Sequence, residues 1–460
     1  MDEVRKKLFY EQKNGYDLIE TDERIRCEEY CGEYMRYLNN SRTEREAVKN
    51  AIAEAEENGF VPYVPGMELK AGMKIYQNNR GKALLLAVIG KKSLAEGAVI
   101  AGAHVDSPRL DLKQIPVYES DELCYFRTHY YGGIKKYQWV TIPLELHGTV
   151  ALRDGSTVDI TIGREKGEPK FVITDLLPHL AADQMKKTLS EGITGEGLSI
   201  LIGSAPYADE GKDRVKLAVL SILNDLYDMT EEDFLSAELV AVPAFDVCEI
   251  GLDRSLIGGY GHDDRVCAYA ELKAIFDVEE PARTCVCILA DKEEIGSEGV
   301  SGMQSEAFDT FMADLCESQG VALRRCYEKS FCLSADVTAA FDPLYPEVSE
   351  KSNASRINYG LGVCKFTGAR GKSGSSDASA EVVGHLRELF AQNKVVWQMA
   401  ELGKVDQGGG GTIAKFMAKR NIDTIDAGVP VLSMHAPFEV VGKFDCYMTY
   451  KGVLAAYAEK

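Results

Sequence analysis

The run Thr284–Ala290 constrains the fold more than any other stretch, because it is a short apolar segment of β-forming residues that charge ends abruptly. Such a run is typical of a buried parallel strand in an α/β protein. Glu293 and Glu294 come soon after it and would lie at the carboxyl end of the strand, where open α/β sheets bind their ligands. A pair of glutamates alone is also compatible with a solvated loop. The interpretation therefore depends on the residues at the ends of the other strands.

Four further strand ends carry groups that bind metals or transfer protons. The apolar run Val99–Ala103 leads into His104 and Asp106, whose spacing of two places both side chains on one side of an extended chain. The other three ends carry Asp263, Asp336 and His435. Each has a simpler interpretation by itself, because His-x-Asp also forms surface ion pairs and a carboxylate before a helix is often an N-cap. Because several such side chains each follow a separate apolar run, they are more simply explained by one shared site than by a series of unrelated loops.

The collected side chains suit a hydrolytic site with two metal ions. The candidate ligands are two imidazoles and three carboxylates, from His104, Asp263, Glu294, Asp336 and His435. This set suits a pair of zinc-like ions that share a bridging carboxylate. Two such ions polarise a carbonyl and lower the pKa of a bridging water. Glu293 is left over and is the candidate general base, and the Asp106 carboxylate would hydrogen-bond the far nitrogen of His104.

The middle of the chain differs in character from both ends. From Gln114 to Glu238, alternating strand patterns with short turns predict an antiparallel β-rich domain. We therefore predict a catalytic domain in two parts, residues 1–113 and 239–460, with residues 114–238 inserted between them as a dimerisation or lid domain. The predicted fold class is α/β, with a mixed, mainly parallel sheet flanked by helices.

Composition excludes several classes of function. The formal net charge of -20 leaves no basic excess to neutralise a nucleic acid. The sequence contains no apolar run long enough to cross a bilayer and begins with nothing that resembles a signal peptide, so we expect no membrane association and a cytoplasmic location. Several of the twelve cysteines lie in apolar runs, as expected of buried free thiols in a reducing compartment.

The order of the motifs resembles that of the aspartyl aminopeptidase family of dinuclear zinc exopeptidases. That order is His-x-Asp, Gly-x-Asp-Asp-Arg, Asp-x-Glu-Glu-Ile-Gly-Ser, Ser-Ala-Asp and Met-His. The resemblance runs nearly end to end and includes Thr128–Gly133 and Gly410–Ile413. It implies a zinc-exopeptidase type of fold, with Asp263 as the bridging ligand, Glu293 as the general base and Asp106 behind the first histidine. The other ligands implied are His104, Glu294, Asp336 and His435.

The resemblance also carries expectations about cofactors and assembly. It implies two divalent ions per chain, with zinc as the first candidate and cobalt or manganese as alternatives. It implies a homo-oligomer, in the form of a large tetrahedral dodecamer built from dimers. In such an assembly the inserted domain makes dimer contacts and lends residues to a neighbour's active site.

Two positions depart from the family pattern. Ala339 stands three residues after Asp336, where the family typically has a histidine, and Asp183 falls where a second histidine is expected. A shifted alignment would place His179 there instead. Both family histidines are associated with substrate binding, so we expect neutral or basic N-terminal residues to be preferred over acidic ones. The candidates for restoring acidic selectivity are Lys365, Arg370 and Lys372.

The sequence thus predicts a metallo-aminopeptidase that removes N-terminal residues from short peptides. The enzymatic alternative is the glutamyl or deblocking aminopeptidase type, which shares the two-metal motif but is disfavoured by the Tyr130–Gly133 segment. An alternative of another class is a shell-forming or cargo-binding protein that keeps the fold without catalysis. Glu293 and the complete ligand set argue against it. The physiological metal, the particle size and the role of the Gly408–Gly411 run are not determined by sequence.

Overall fold

The structure, a computed structural model, describes residues 3–459 and consists of two compact units. The first contains the chain up to Asp106, Val247–Met434 and the part from Glu439 onward. The second contains Ser107–Asp246 and the short segment His435–Phe438. The chain thus passes between units at Asp106 and Asp246, whereas the predicted boundaries fall at residues 113 and 238. The assignment of these parts as catalytic and dimerisation domains stays a prediction.

Helices and strands alternate through the first unit, and strands dominate the second. The helices are α1 (Glu3–Leu8), α2 (Thr21–Asn40), α3 (Glu44–Glu57), α4 (Leu189–Gly192), α5 (Arg214–Tyr227), α6 (His262–Phe276), α7 (Ala307–Glu317), α8 (Leu323–Lys329), α9 (Ala380–Gln392), α10 (Ala414–Lys419) and α11 (Lys443–Tyr457). The first ten strands are β1 (Val61–Pro62), β2 (Lys74–Asn79), β3 (Ala83–Val88), β4 (Ala98–His104), β5 (Arg109–Ser120), β6 (Leu123–Tyr131), β7 (Leu144–Ala151), β8 (Thr157–Ile162), β9 (Ile200–Gly203) and β10 (Ala237–Pro243). The others are β11 (Cys248–Ile250), β12 (Leu256–Gly259), β13 (Thr284–Ala290), β14 (Phe331–Ser334), β15 (Thr338–Ala339), β16 (Leu361–Cys364), β17 (Trp397–Met399), β18 (Asp423–Gly428), β19 (Pro430–Leu432) and β20 (Glu439–Gly442).

The main sheet of the first unit has nine strands in the order β1-β2-β3-β13-β4-β14-β18-β16-β17. Its centre is parallel, because β4 pairs in parallel with β13 and β14, and β14 pairs in parallel with β18. The flanking strands β3 and β16 run antiparallel to this centre. A smaller sheet has the order β11-β12-β20-β19-β15. The predicted mixed, mainly parallel α/β fold is confirmed.

Helices cover both faces of the main sheet. Along β13, Cys285, Cys287 and Leu289 belong to one apolar core, whereas Val286, Ile288 and Ala290 belong to another. This alternation is the period of two that a strand imposes on its side chains. The first core contains residues of α2, α3, α6, α9 and α11, and the second contains residues of α7, α8 and α10. Since both faces are buried, the strand is apolar throughout, which is why its sequence reads as a continuous apolar run.

The second unit contains a six-stranded sheet in the order β8-β7-β10-β5-β6-β9. Each neighbouring pair in this sheet is antiparallel. The predicted antiparallel, β-rich insertion is therefore present. Within residues 3–459, the structure contains no helix with the length and apolar character needed to cross a membrane.

The register of the central strands decides which residues meet at the edge of the main sheet. Ala290 at the end of β13 lies opposite His104 at the end of β4. Ser334 at the end of β14 lies opposite Gly102 of the same strand β4. The residues just beyond β13 and β14 therefore emerge at the edge where His104 lies.

Candidate metal centre and active site

His104 is the centre of the candidate site and is almost fully buried. Its Nδ1 atom lies 3.0 Å from the carbonyl oxygen of Asp106 and 3.2 Å from a carboxylate oxygen of the same residue. Since a carbonyl oxygen only accepts hydrogen bonds, Nδ1 carries a proton. Nε2 lies 3.3 Å from Oδ1 of Asp263 and 3.9 Å from Oε2 of Glu293. Burial opposes protonation of the ring, but Asp106 and Asp263 raise its pKa well above the usual value, so binding a metal through Nε2 would require loss of the proton there.

Asp106 organises the loop that carries the two glutamates. Its buried carboxylate accepts hydrogen bonds from the backbone N–H of Glu293 at 3.1 Å and of Glu294 at 3.2 Å. Both glutamates lie in a single 3₁₀ turn, Glu293–Ile295, just beyond β13. The same carboxylate contacts His104, so one side chain orients the histidine and positions both glutamates. Such outer partners fix the geometry of metal ligands.

Asp263 reaches the site from the first turn of α6. Its backbone is not helical, with φ -81° and ψ 108°, and its N–H donates to Oε2 of Glu439 at 3.0 Å. The next residue, Asp264, is fully buried and accepts from the backbone N–H of His104 at 3.2 Å. The adjacent carboxylates therefore have different surroundings. Asp263 faces the histidine ring, and Asp264 supports the end of β4.

Two overlapping groups of side chains could each hold a metal ion. One consists of His104, Glu293 and Asp336, and the other of His104, Asp263 and Glu294; within each group the ligand atoms all lie within 4.8 Å of one another. The structure thus brings four other predicted site residues together around His104: Asp263, Glu293, Glu294 and Asp336. Glu293 lies as close to a candidate metal position as the predicted ligands do, so geometry by itself allows it to act as a ligand or a base.

The electrostatics of the cluster suit divalent cations. Burial raises the pKa of Asp336 well above its usual value, and the neighbouring carboxylate of Asp264 raises it further. Burial also raises the pKa of Asp264, against the lowering effect of His104. Crowded, desolvated carboxylates are costly unless cations compensate their charge. Imidazole nitrogen and carboxylate oxygen are the ligands that zinc takes in catalytic sites, so these residues fit the ion that the sequence predicts.

His435, the second predicted histidine ligand, belongs to the second unit. Its Nδ1 lies 2.9 Å from the carbonyl oxygen of Gly133. A side chain at position 133 would place its Cβ 3.3 Å from this nitrogen, so glycine allows the close approach. As in His104, a carbonyl partner keeps a proton on Nδ1. Nε2 is therefore the nitrogen through which this imidazole could bind a metal.

The residues singled out for selectivity have ordinary surroundings. Asp183 is exposed and pairs with Lys186 at 2.9 Å. Lys365 and Lys372 both pair with Asp377, at 2.6 and 3.1 Å. The single carboxylate of Asp377 thus offsets the charge of one of these two lysines, and Asp183 has a cationic neighbour of its own.

The structure also gives the surroundings of Ala339 and of the glycine-rich run Gly408–Gly411. Ala339 lies half-buried in β15. In the glycine-rich run, the carbonyl oxygen of Gly410 accepts from the N–H of Gly368, and Thr412 donates to the buried Asp426 at 2.7 Å. The run is therefore tied to a neighbouring loop and to β18.

Sequence reasoning missed two carboxylates that hold the site together. Asp264 was visible as the second member of the Asp-Asp pair, but its separate role depends on a contact with a strand about 160 positions earlier in the chain. Glu439 is a fully buried charge at the start of β20. A glutamate directly before an apolar strand run was the available signal for it.

Comparison with known proteins places these observations in a family. A family model described as aminopeptidase I zinc metalloprotease (M18) matches residues 37–457. A probable M18 family aminopeptidase 1 of Clostridium acetobutylicum is 46% identical over 457 residues, covering 97% of this chain and 98% of the relative. The crystal structure of an M18-family aminopeptidase from Thermotoga maritima has a TM-score of 0.94 and 42% identity, covering 98% of this chain and 100% of that one. The mature aminopeptidase 1 of Saccharomyces cerevisiae, solved as a dodecamer, shares the fold at 20% identity and a TM-score of 0.75, covering 92% of this chain and 95% of that one.

Proposed function

Because the chain belongs to the M18 family of zinc aminopeptidases, we propose that it removes N-terminal residues from short peptides with Glu293 as the general base. The observation that carries this proposal is the arrangement around His104, whose Nε2 atom faces the carboxylates of Asp263 and Glu293. A base, a histidine and bridging carboxylates at the carboxyl edge of an α/β sheet suit peptide hydrolysis.

The proposed roles are derived from the contacts of each residue. The ligand set is His104, Asp263 as the bridge, Glu294, Asp336 and, on the sequence resemblance, His435. Two divalent ions bound there, zinc first, would lower the pKa of a water molecule and polarise the scissile carbonyl. Asp106 holds the proton of His104 on Nδ1 and fixes the backbone of both glutamates. Glu293 accepts a proton from the attacking water and returns it to the leaving amine.

We expect neutral or basic N-terminal residues to be cleaved better than acidic ones. The reason is Ala339, a small apolar residue that offers no charged partner to a substrate carboxylate. Leaving such an ion partly desolvated and unpaired costs several kcal/mol, which exceeds the gain from one methylene contact. The measurement is kcat/KM on matched dipeptides that begin with Asp, Glu, Leu, Met and Lys, with zinc, manganese or cobalt added.

The variant Ala339→His provides the contrast for this prediction. A histidine at this position is expected to raise kcat/KM for the Asp and Glu dipeptides relative to Leu, most strongly below the pKa of histidine, because the protonated ring supplies a positive charge. A clear preference of the unmodified enzyme for Asp would contradict the proposed selectivity. Failure to cleave any of the peptides with any of the metals would contradict the aminopeptidase function itself.

We also propose that the chain forms a homo-oligomer, with a dodecamer built from dimers as the expected size. Support comes from the second unit, where Ile222 and Leu226, one turn apart on α5, are 57% and 62% exposed. Leu180 and Met185 are also largely exposed. Apolar surface of this extent on one unit is typical of a protein interface. Analytical ultracentrifugation is expected to show an oligomer that Ile222→Glu/Leu226→Glu weakens or dissociates. Sedimentation of the unmodified protein as a concentration-independent monomer would contradict this proposal.

The cytoplasm is the proposed location. All twelve cysteines are free thiols, and only Cys248 is exposed. A chain that keeps so many unpaired thiols suits a reducing compartment.

A further inference from the structure

A pocket of about 440 Å³ lies in the second unit, beside the turn formed by Gly132 and Gly133. Lys135 and Lys136 line it, together with the ring of Tyr130. A neighbouring pocket shares Lys136 and Ser190 with the first and adds Lys187. The two pockets are thus adjacent, and the carboxylate of Glu191 also lines the second one.

The pocket is linked to a proposed metal ligand through Gly133. This glycine lines the pocket, and its carbonyl oxygen lies 2.9 Å from Nδ1 of His435. One residue thus contacts both the pocket and the imidazole. This inference rests on the proposed function, in which His435 is a metal ligand.

Lys135 and Lys136, the two lysines that line the first pocket, have no acidic side chain in ion-pair contact among the described residues. Other lysines of the same unit do form ion pairs. Lys113 pairs with Glu196 at 2.8 Å, and Lys216 pairs with Glu231 at 2.6 Å. Lys135 and Lys136 therefore give the wall of the first pocket a positive charge, and the carboxylate of Glu191 lies in the wall of the neighbouring pocket.

We propose that this pocket binds a carboxylate group of the peptide substrate through Lys135 and Lys136. An ammonium group offers three donors and no acceptor, so it binds a carboxylate more strongly than a neutral amide, whose carbonyl oxygen accepts a hydrogen bond but carries no charge. A peptide offers a carboxylate at its C-terminus and in an Asp or Glu side chain. Because Ala339 disfavours acidic N-terminal residues, the C-terminal carboxylate of a dipeptide or tripeptide is the expected source. The pocket would then select short peptides by their free end.

The test compares substrates that differ only in one carboxylate. The variants are Lys135→Met, Lys136→Met and the double variant, assayed as metal-loaded full-length enzyme. Lys166→Met is the matched control, because Lys166 is an exposed lysine of the same unit that lines neither pocket. In the first arm, Leu-Leu is compared with Leu-Leu-amide. In the second arm, Asp-Leu-amide is compared with Leu-Leu-amide.

The double variant is expected to lower kcat/KM roughly threefold to tenfold for the substrate that carries the relevant carboxylate, because partly exposed charge pairs contribute modestly. Hydrolysis of Leu-Leu-amide should stay unchanged, and Lys166→Met should resemble the unmodified enzyme on all substrates. A loss in the first arm identifies the C-terminal carboxylate. A loss in the second arm alone identifies an acidic side chain and overturns the proposed selectivity for neutral or basic residues, but keeps the pocket.

Two results would overturn the inference. One is an unchanged ratio of the paired substrates in both arms, and the other is an equal loss on all three substrates. If the unmodified enzyme hydrolyses none of the three substrates, the proposed function fails. The pocket is then tested by measuring the binding of a small dicarboxylate. Isothermal titration calorimetry with glutarate and with its uncharged diamide then provides the readout. Glutarate binding that the double variant weakens and Lys166→Met does not would sustain the pocket, and absence of glutarate binding to the unmodified protein would refute it.

Discussion

Glu293→Gln is expected to lower kcat by a factor on the order of one hundred to ten thousand while the protein keeps its metal. The amide has the size of the carboxylate but cannot accept a proton from water. Asp106 accepts a hydrogen bond from the backbone of Glu293, and Oε2 of Glu293 lies 3.9 Å from Nε2 of His104. Because the backbone contact does not involve the substituted group, we expect the glutamine side chain to keep this position. The measurement is kcat on a neutral dipeptide, with the metal content of the same sample determined by elemental analysis.

Glu279→Gln is the matched control for this variant. Glu279 undergoes the same chemical change but is exposed, so turnover and metal content should stay near those of the unmodified enzyme. The metal content of Glu293→Gln distinguishes two roles, because Glu293 also groups with His104 and Asp336 as a candidate metal site. Loss of metal would make Glu293 a ligand. Near-normal turnover by the metal-loaded variant would assign the base to another residue.

His104→Ala is expected to abolish activity and to remove metal from the protein. His104 is the one residue that both candidate metal groups share, so its loss deprives each group of its nitrogen ligand. Mutation of even an outer partner of a metal ligand typically costs about 10- to 100-fold in affinity or activity, and removal of the ligand itself should cost more. Asp263→Ala is also expected to lose metal, because Asp263 belongs to one of the two groups. His435→Ala is expected to do the same, because the family resemblance makes His435 a proposed ligand. Elemental analysis should find close to two ions per chain in the active enzyme, as a two-ion mechanism requires.

Chelation followed by metal addition separates loss of metal from loss of fold. Treatment of the unmodified enzyme with a chelator should abolish activity, and added zinc, manganese or cobalt should restore it. His179→Ala is the control for metal retention, because His179 is exposed and belongs to neither candidate metal group. An active enzyme without bound metal would refute the assignment of the site.

The sequence by itself determined the strands and the order of the groups at their ends. Both faces of β13 are buried, and a strand buried on both faces is largely apolar, so the run is visible without a structure. The carboxyl ends of parallel strands meet at one edge of a sheet, so residues beyond β4, β13 and β14 could be expected near one another. His104, Glu293, Glu294 and Asp336 do lie together, and Asp263 joins them from the start of α6, which follows β12 of the smaller sheet.

Only the tertiary structure decided the partners of these groups. The contact of Asp263 with Glu439, that of His104 with Asp264 and that of Gly133 with His435 each join residues more than 150 positions apart. The pairing of Lys365 and Lys372 with Asp377 and, among the described residues, the absence of such a partner at Lys135 and Lys136 likewise depend on how loops fold over one another. The physical reason is that apolar periodicity records whether a side chain is buried, whereas a hydrogen bond or an ion pair depends on the relative position of two side chains. Local sequence carries the first kind of information, and only the packing of distant elements supplies the second.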